Sequence, residues 1–261
     1  MSEKACLQVE IGSKTDVGRV RKNNEDTCRT LPSLNLFIIS DGMGGESHGE
    51  LASAIAADTI TVYCSEGSND ALTSHWEGRR PDFSEKTNRL ASAVRAANRK
   101  IHEAGHGNPL FRGMGATVVA AWLEGHRLSL VHVGDSRAYL FRSGALQLLT
   151  SDHTLVAEQI RHNLIAPEEA HLSKMQNVLI RALGAQEQVE VDVAEYLLLN
   201  HDVVLLCTDG LTHMVTDAEI ARTLLELSDA QASADQLVLL ANENGGEDNV
   251  SVIVVHVAEM T

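Results

Sequence analysis

Aspartates at the junctions between apolar, strand-length runs and glycine turns constrain this chain more than any other feature. Asp41 follows LFIIS, Asp135 follows LVHVG, Asp209 follows VLLCT, and Asp248 directly precedes the last apolar run. A single Asp in a turn commonly bonds only its own backbone. Several acids at strand ends can instead converge on one edge of a sheet, where protons or cations must neutralise them. Oxygen ligands favour magnesium or manganese, whereas zinc would recruit His and Cys.

Hydrophobic periodicity predicts an α+β chain. A polar capping-box pattern, Thr216 with Glu219, predicts a helix to about residue 227, and Ser233 is predicted to open another. The other predicted helices cover 49–64 and 85–104. The predicted strands cover 6–11, 34–40, 117–123, 127–133, 138–141, 145–149, 189–196, 202–208 and 249–257. The run from 117 to 149 predicts one antiparallel meander rather than a parallel, doubly wound sheet.

The chain is predicted to form a single domain over residues 1–261, because it contains no repeat, linker or low-complexity tract. Residues 65–84 are predicted as an unusually long loop. Residues 151–183 have a polar helical pattern, in which Pro167 suits a first helical turn.

Composition excludes several classes of function. The net charge of −15 and an aromatic content of 3% argue against a nucleic-acid partner, which needs positive charge and stacking surfaces. No apolar run approaches the ~20 residues of a membrane-spanning helix, and the first residues lack an apolar signal core. We therefore expect a cytoplasmic protein without a membrane partner.

The four cysteines are predicted to be reduced, structural thiols, because no two of them form a CxxC pair. A Cys-based phosphatase would need Arg six positions after its Cys. Those positions hold Gly12, Leu34, Asp70 and His213.

A serine hydrolase is a competing interpretation. Residues 45–49 fit the G-x-S-x-G pattern around Ser47, and Asp209 with His213 or His256 would complete the chain order of an α/β-hydrolase. A nucleophile elbow needs its Ser at the tip of the strand, however, and Ser47 comes well after Asp41. The predicted antiparallel sheet also argues against this interpretation.

An ordered series of motifs resembles the PP2C (PPM) metal-dependent serine/threonine phosphatases, and the Asp-Gly-Met-Gly-Gly form resembles their bacterial branch. The resemblance extends from about residue 12 to 257. The motifs are VRKNNED (20–26), SDGMGG (40–45), MGAT (114–117), VGDSR (133–137), CTDGL (207–211) and GEDNV (246–250).

The resemblance implies a four-layer α-β-β-α sandwich of two antiparallel sheets with helices outside and two Mn²⁺ or Mg²⁺ ions in a cleft. By resemblance, the metal ligands would be Asp41, the Gly42 carbonyl, Asp209, Asp248 and, through water, Glu25. Asp135 with Asp209 would hold the third ion that bacterial members often show. Asp26 and Asn249 would support the ligands from behind, and Arg21 would bind the substrate phosphate. Asp41, Asp209 and Arg21 would then be the catalytic residues, and water activated by the metals would replace an amino-acid nucleophile.

Two departures from the family pattern concern the proton donor and the flap. Met43 and Glu46 stand where relatives place a His, which leaves His48 and His153 as candidate donors. Residues 170–177, in the flap-like segment, lack the His-Pro pair of many relatives, so substrate preference is open there.

The predicted function is hydrolysis of phosphoserine and phosphothreonine in proteins, in opposition to a bacterial kinase. The predicted partners are a cognate kinase and its phosphorylated substrates. The alternative is a phosphatase-like binding module with weak catalysis, which the retained acids Asp41, Asp209 and Asp248 argue against.

Overall fold

Two antiparallel sheets stack face to face in the computed structural model, which describes residues 7–44, 48–65, 78–166, 169, 175 and 177–259. One sheet has the order β1-β11-β10-β7-β8 and the other β2-β3-β5-β6-β9, with β4 paired to β3. The strands are β1 (Leu7–Asp16), β2 (Asp26–Leu31), β3 (Leu36–Met43), β4 (Gly115–Ala116), β5 (Val118–Glu124), β6 (Arg127–Val133), β7 (Arg137–Arg142), β8 (Ala145–Leu148), β9 (Asp192–Leu197), β10 (Val203–Cys207) and β11 (Val250–Glu259).

Helices cover the outer face of each sheet. The helices α1 (His48–Ser65) and α2 (Glu85–Gly107) pack on the six-stranded sheet. The five-stranded sheet is covered by α4 (Asp209–Thr212), α5 (Asp217–Glu226) and α6 (Ala230–Glu243), while α3 (Leu155–Arg161) lies in the predicted flap. A third apolar cluster fills the space between the sheets, because alternate residues of a strand point to opposite faces. The predicted α-β-β-α sandwich is therefore confirmed.

The prediction of one meander over residues 117–149 is wrong. Strands β5 and β6 form a hairpin in the six-stranded sheet, whereas β7 and β8 form a hairpin in the other sheet. The chain crosses between the sheets at Gly134, whose φ of +104° lies in the left-handed region. Short spacing between strands predicts neighbours in sequence but does not say which sheet each strand joins.

Other elements also differ from the predictions. Strand β2 was not predicted, because its sequence DTCRTL is polar; its pairing with β3 at the sheet edge makes it a strand. The last long helix begins at Ala230 rather than Ser233. Asp229 is its N-cap and accepts a hydrogen bond from the amide of Ala232, and both Asp and Ser suit that position. The capping box of Thr216 and Glu219 is confirmed.

Other expectations concern segments that the structure describes only in part. The loop predicted over 65–84 falls mostly outside the described residues, as do Pro167 and Ser47. In the predicted flap, the described residues include one short helix, α3, and turns. Isolated bridges join Thr154 to Leu179 and Leu183 to Ala116. Within the described residues, no helix combines the length and the apolar character needed to cross a membrane.

Gly42 is required by close packing of α1 against the end of β3. A Cβ on Gly42 would lie 2.0 Å from the carbonyl oxygen of Gly49. We expect Gly42→Ala to lower the free energy of unfolding by about 1–3 kcal/mol or more, because two backbone segments must separate. Urea unfolding followed by circular dichroism measures the change. Gly107→Ala is the matched control, since its Cβ would meet nothing within 4 Å, and an equal effect of both variants would contradict this account.

Candidate active site

Predicted site residues from both sheets line one open cleft of about 620 Å³. Asp41 lies near the end of β3, Asp209 opens α4 directly after β10, and Asp248 precedes β11. The antiparallel pairing brings these strand ends to one edge of the sandwich, as the sequence predicted. The predicted site residues among the lining are Arg21, Glu25, Asp41, Gly42, Asp135, Asp209, Asp248 and Asn249.

Asp41 is held by its backbone and crowded by other acids. Its amide donates to Oγ1 of Thr117 at 3.1 Å, and its carbonyl accepts from the Thr117 amide at 2.8 Å. Burial raises the pKa of Asp41 well above its ordinary value, and the nearby charges of Asp26 and Asp209 raise it further. This carboxyl is stable as an anion only beside a compensating positive charge.

The carboxyl of Asp209 also has a raised pKa. Burial is the largest cause that raises its pKa, and His213, whose Nδ1 lies 3.5 Å from Oδ2, opposes the rise. The other oxygen of Asp209, Oδ1, is buried without a hydrogen-bond partner. A buried acceptor of this kind is a ready cation ligand.

Asp26 connects the two sheets behind the cleft. Its Oδ2 accepts hydrogen bonds from the hydroxyls of Ser251 at 2.7 Å and Thr208 at 3.0 Å, which lie in β11 and directly after β10 of the five-stranded sheet. Burial nevertheless dominates and raises the pKa of Asp26 to about 7. Its Oδ1 is buried without a protein partner. Asp26 is absent from the residues that line the cleft, in keeping with its predicted supporting place.

Glu25 is positioned by Asn249 and by the start of α1. The side-chain oxygen of Asn249 accepts from the Glu25 amide at 2.8 Å, while its amide nitrogen donates to the carbonyls of Val17 and Asn23. Oε2 of Glu25 packs closely against Gly49, because a Cβ on Gly49 would lie only 2.4 Å from this oxygen. An anion is favoured at this first helical turn, because unpaired backbone amides concentrate there.

Arg21 pairs with Asp248 at the mouth of the cleft. Its Nη2 lies 2.7 Å from Oδ2 of Asp248, whose Oδ1 accepts from the Asn249 amide at 2.8 Å. The charge of Asp248 is the main cause that raises the pKa of Arg21. The Arg21 side chain is more than half exposed, so its planar fork is accessible to a substrate anion.

Asp135 occupies the crossover between β6 and β7. It is 8% exposed, and burial, followed by the charge of Asp209, raises its pKa to about 7. Its neighbour Ser136 bonds Thr117 through their hydroxyls at 2.6 Å. Thr117 therefore holds both the crossover, through Ser136, and the backbone of Asp41.

The histidines predicted as proton donors do not line the cleft. His48 opens α1, and its ring contacts Phe111 edge-on at 5.5 Å. His153 is 3% exposed, and its Nδ1 accepts from the amide of Gly134 at 3.0 Å. Met43 does line the cleft, whereas Glu46 lies outside the described residues.

Sequence reasoning missed the hydroxyl residues that support the acids. Thr208 and Ser251 donate hydrogen bonds to the carboxyl of Asp26. Thr117 accepts one from the Asp41 amide, and the hydroxyl of Ser136 bonds that of Thr117. Thr117, Ser136 and Thr208 lie inside the family motifs, and this placement could have identified them from the sequence. Ser251 follows the last motif, so no motif marks it.

An antiparallel sandwich with clustered carboxyls and an exposed guanidinium at one edge is typical of enzymes that hydrolyse phosphate esters with divalent cations. The sequence profile described as protein phosphatase 2C matches residues 18–242. The serine/threonine phosphatase stp of Listeria innocua is 34% identical over 93% of each chain.

Solved structures agree with this match. The crystal structure of the Mycobacterium tuberculosis serine/threonine phosphatase PstP/Ppp has a TM-score of 0.83 at 34% identity, over 96% of this chain and 99% of that one. A structure of the catalytic domain of PstP in complex with two manganese ions has a TM-score of 0.82 at 34% identity, over 97% and 99% of the two chains. The chain therefore belongs to the protein phosphatase 2C family, and it is a PP2C-type serine/threonine protein phosphatase.

Crowding of the acids predicts that Asp209→Asn stabilises the metal-free protein. Removing one buried negative charge should raise the unfolding free energy by about 1 kcal/mol, or roughly 2–4 °C in Tm. Scanning calorimetry in EDTA measures this. The exposed acid Asp235 provides the control, because Asp235→Asn should change Tm little. With Mn²⁺ at about 100 times its Kd, wild type should gain about 2.7 kcal/mol and Asp209→Asn much less. A lower Tm for Asp209→Asn in EDTA would contradict the crowding.

Proposed function

We propose that this phosphatase removes phosphate from phosphoserine and phosphothreonine with two divalent cations held in the acid-lined cleft. The observation that carries the proposal is the convergence of Asp41, Asp209 and Asp248 on one cleft, with the exposed guanidinium of Arg21 at its mouth. Catalysis then depends on charge compensation and positioning rather than on a protein nucleophile.

The residues present fit Mn²⁺ or Mg²⁺. The donor atoms are carboxylate and carbonyl oxygens, and Oδ1 of Asp209 is a buried acceptor without a partner. Asp41, the Gly42 carbonyl, Asp209 and Asp248 would hold the ions, with Glu25 acting through water. The two manganese ions reported for the PstP catalytic domain support this assignment. Asp135 would contribute to a third ion. Bound cations would neutralise phosphate charge and lower the pKa of coordinated water toward neutrality.

Arg21 would orient the phosphate. Only its Nη2 is engaged by Asp248, so the rest of the fork is available for phosphate oxygens. The Arg21–Asp248 contact would also connect phosphate binding to a metal ligand. None of the described residues that line the cleft is a histidine, so solvent in the open cleft would supply the proton for the leaving alkoxide.

The substrate would be a phosphorylated protein, and a cognate bacterial kinase and a cytoplasmic location remain predictions. Lys22 and Arg21 line the cleft of a chain whose net charge is −15. This local positive charge would attract the phosphate, while the acidic remainder would favour basic flanking residues.

Hydrolysis of a phosphothreonine peptide tests the proposal. We expect turnover with Mn²⁺, none in EDTA, and a loss of about 10³-fold in kcat for Asp209→Ala, because several kcal/mol of charge stabilisation disappear. Phosphate release measures all three, and Asp235→Asn controls for the loss of an acid elsewhere.

Two outcomes would contradict the proposal. A wild-type protein that binds Mn²⁺ without turnover would favour the binding-module alternative. Hydrolysis of esters that persists in EDTA would favour a nucleophile such as Ser47, although β3, which precedes Ser47, pairs antiparallel with both of its neighbours β2 and β5.

Arg21→Ala should raise KM for the phosphopeptide by about 10–100-fold, because charge-assisted hydrogen bonds to the phosphate are lost. Arg21→Lys should fall between this variant and wild type, since it keeps the charge but loses the planar fork. Steady-state kinetics at saturating Mn²⁺ separate KM from kcat. An unchanged KM in Arg21→Ala would remove Arg21 from phosphate binding.

A further inference from the structure

His153 bonds the crossover that carries Asp135 from two directions. Its Nδ1 accepts from the Gly134 amide at 3.0 Å, and its own amide donates to the Gly134 carbonyl at 3.0 Å. Both residues are buried. Gly134 has a φ of +104°, and a Cβ there would lie 2.6 Å from the Cβ of Thr117. The backbone on the N-terminal side of Asp135 is thus fixed by one imidazole and by close packing.

Contacts at Nε2, on the side of the ring away from Gly134, set the orientation of the imidazole. Because Nδ1 accepts a hydrogen bond, the proton of the neutral ring is on Nε2. Nε2 faces Oδ2 of Asp192 at 3.4 Å, and Oδ1 of Asp192 accepts from Nη1 of Arg181 at 2.6 Å. The ring also stacks on His132 with a centroid distance of 4.8 Å.

The cluster of His132, His153 and Asp192 has the composition of a metal site. The guanidinium of Arg181 already supplies a cation beside this cluster, however, since its Nη1 donates to Oδ1 of Asp192. Nη1 also lies 3.0 Å from Nε2 of His153, but a protonated Nε2 cannot accept from it, so the carboxylate between them is the shared partner. The hydrogen bond to Gly134 also occupies the remaining lone pair of His153. This arrangement orients the ring instead of offering it to an ion.

The backbone of His153 also bonds a segment next to the lining of the cleft. Its carbonyl accepts from the amide of Ile180 at 2.9 Å, next to Leu179, which lines the cleft. Ser136, on the other side of Asp135, bonds Thr117, which also bonds the amide of Asp41. Asp135 is therefore held from both sides, by His153 and by Thr117.

We propose that His153 is a positioning residue, which fixes the Asp135 carboxyl toward a divalent cation through the backbone of Gly134. This role rests on the proposed function. His153 does not line the cleft, so it acts through its acceptor nitrogen on the backbone next to Asp135. Residues that orient a metal ligand typically change metal affinity by 10–100-fold when replaced.

A pair of amide variants isolates the acceptor. His153→Asn can place a carbonyl oxygen near the position of Nδ1 and keep the bond to Gly134. His153→Gln places its amide near Nε2, keeps the contact with Asp192 and loses that bond. His132→Gln controls for loss of a buried imidazole, because His132 bonds Ser151 and not Gly134.

Mn²⁺ binding to the purified full chain, measured by electron paramagnetic resonance and calorimetry, is the readout. We expect His153→Gln to weaken the weakest ion at least 10-fold and to leave the tighter ions and KM for phosphopeptide unchanged. His153→Asn should restore the affinity, and His132→Gln should match wild type. Asp135→Asn should weaken the same ion, and the double variant with His153→Gln should be no worse than Asp135→Asn.

The outcomes separate this role from the proposed function. Wild-type Mn²⁺ affinity in His153→Gln, equal losses in His153→Asn and His153→Gln, or no effect of Asp135→Asn on any ion would each overturn the positioning role. The proposed function fails separately if wild type neither binds Mn²⁺ nor hydrolyses phosphopeptide.

Discussion

Repulsion among largely buried carboxyls at one edge of the sandwich is the constraint on which the rest of this structure depends. Burial raises the pKa values of Asp41, Asp135 and Asp209, and neighbouring acids raise them further. The charge of Asp209 acts on Asp41 and on Asp135, and that of Asp248 acts on Asp209. The fold nevertheless keeps these carboxyls together. Without a cation, burial and the neighbouring charges disfavour full ionisation of these carboxyls. The same cluster favours cation binding, because folding has already brought the negative charges together.

The fold opposes this repulsion by fixing the backbone and the side chains around the acids. Asp41 lies in a strand paired on both sides, and its amide and carbonyl both bond Thr117. Asp26 connects the sheets through the hydroxyls of Thr208 and Ser251. Close approaches at Gly42 and Gly210 let neighbouring segments pack against the ends of β3 and β10. Each device keeps an acid in place without neutralising it, which leaves the neutralising role to an ion.

Two arginines near the cleft have different surroundings. Arg21 contacts Asp248 at the mouth, whereas Arg181 lies behind the wall, where it orients Asp192 and His153. The two arginines thus have different consequences: one is exposed to a substrate anion, and the other supports backbone that carries an acid. The same side-chain chemistry serves recognition or positioning according to its solvent exposure.

The sequence by itself determined the acids at strand ends, the antiparallel character of the sheets, most helices and, through its motifs, the family. Those signals are local, because periodicity, glycine turns and capping residues act over a few positions. Only the tertiary structure decided that β5–β6 and β7–β8 belong to different sheets, that the polar segment β2 is a strand, and that His153 bonds Gly134 behind the cleft. These features depend on contacts between residues distant in sequence, and no short pattern encodes which surface a side chain will meet.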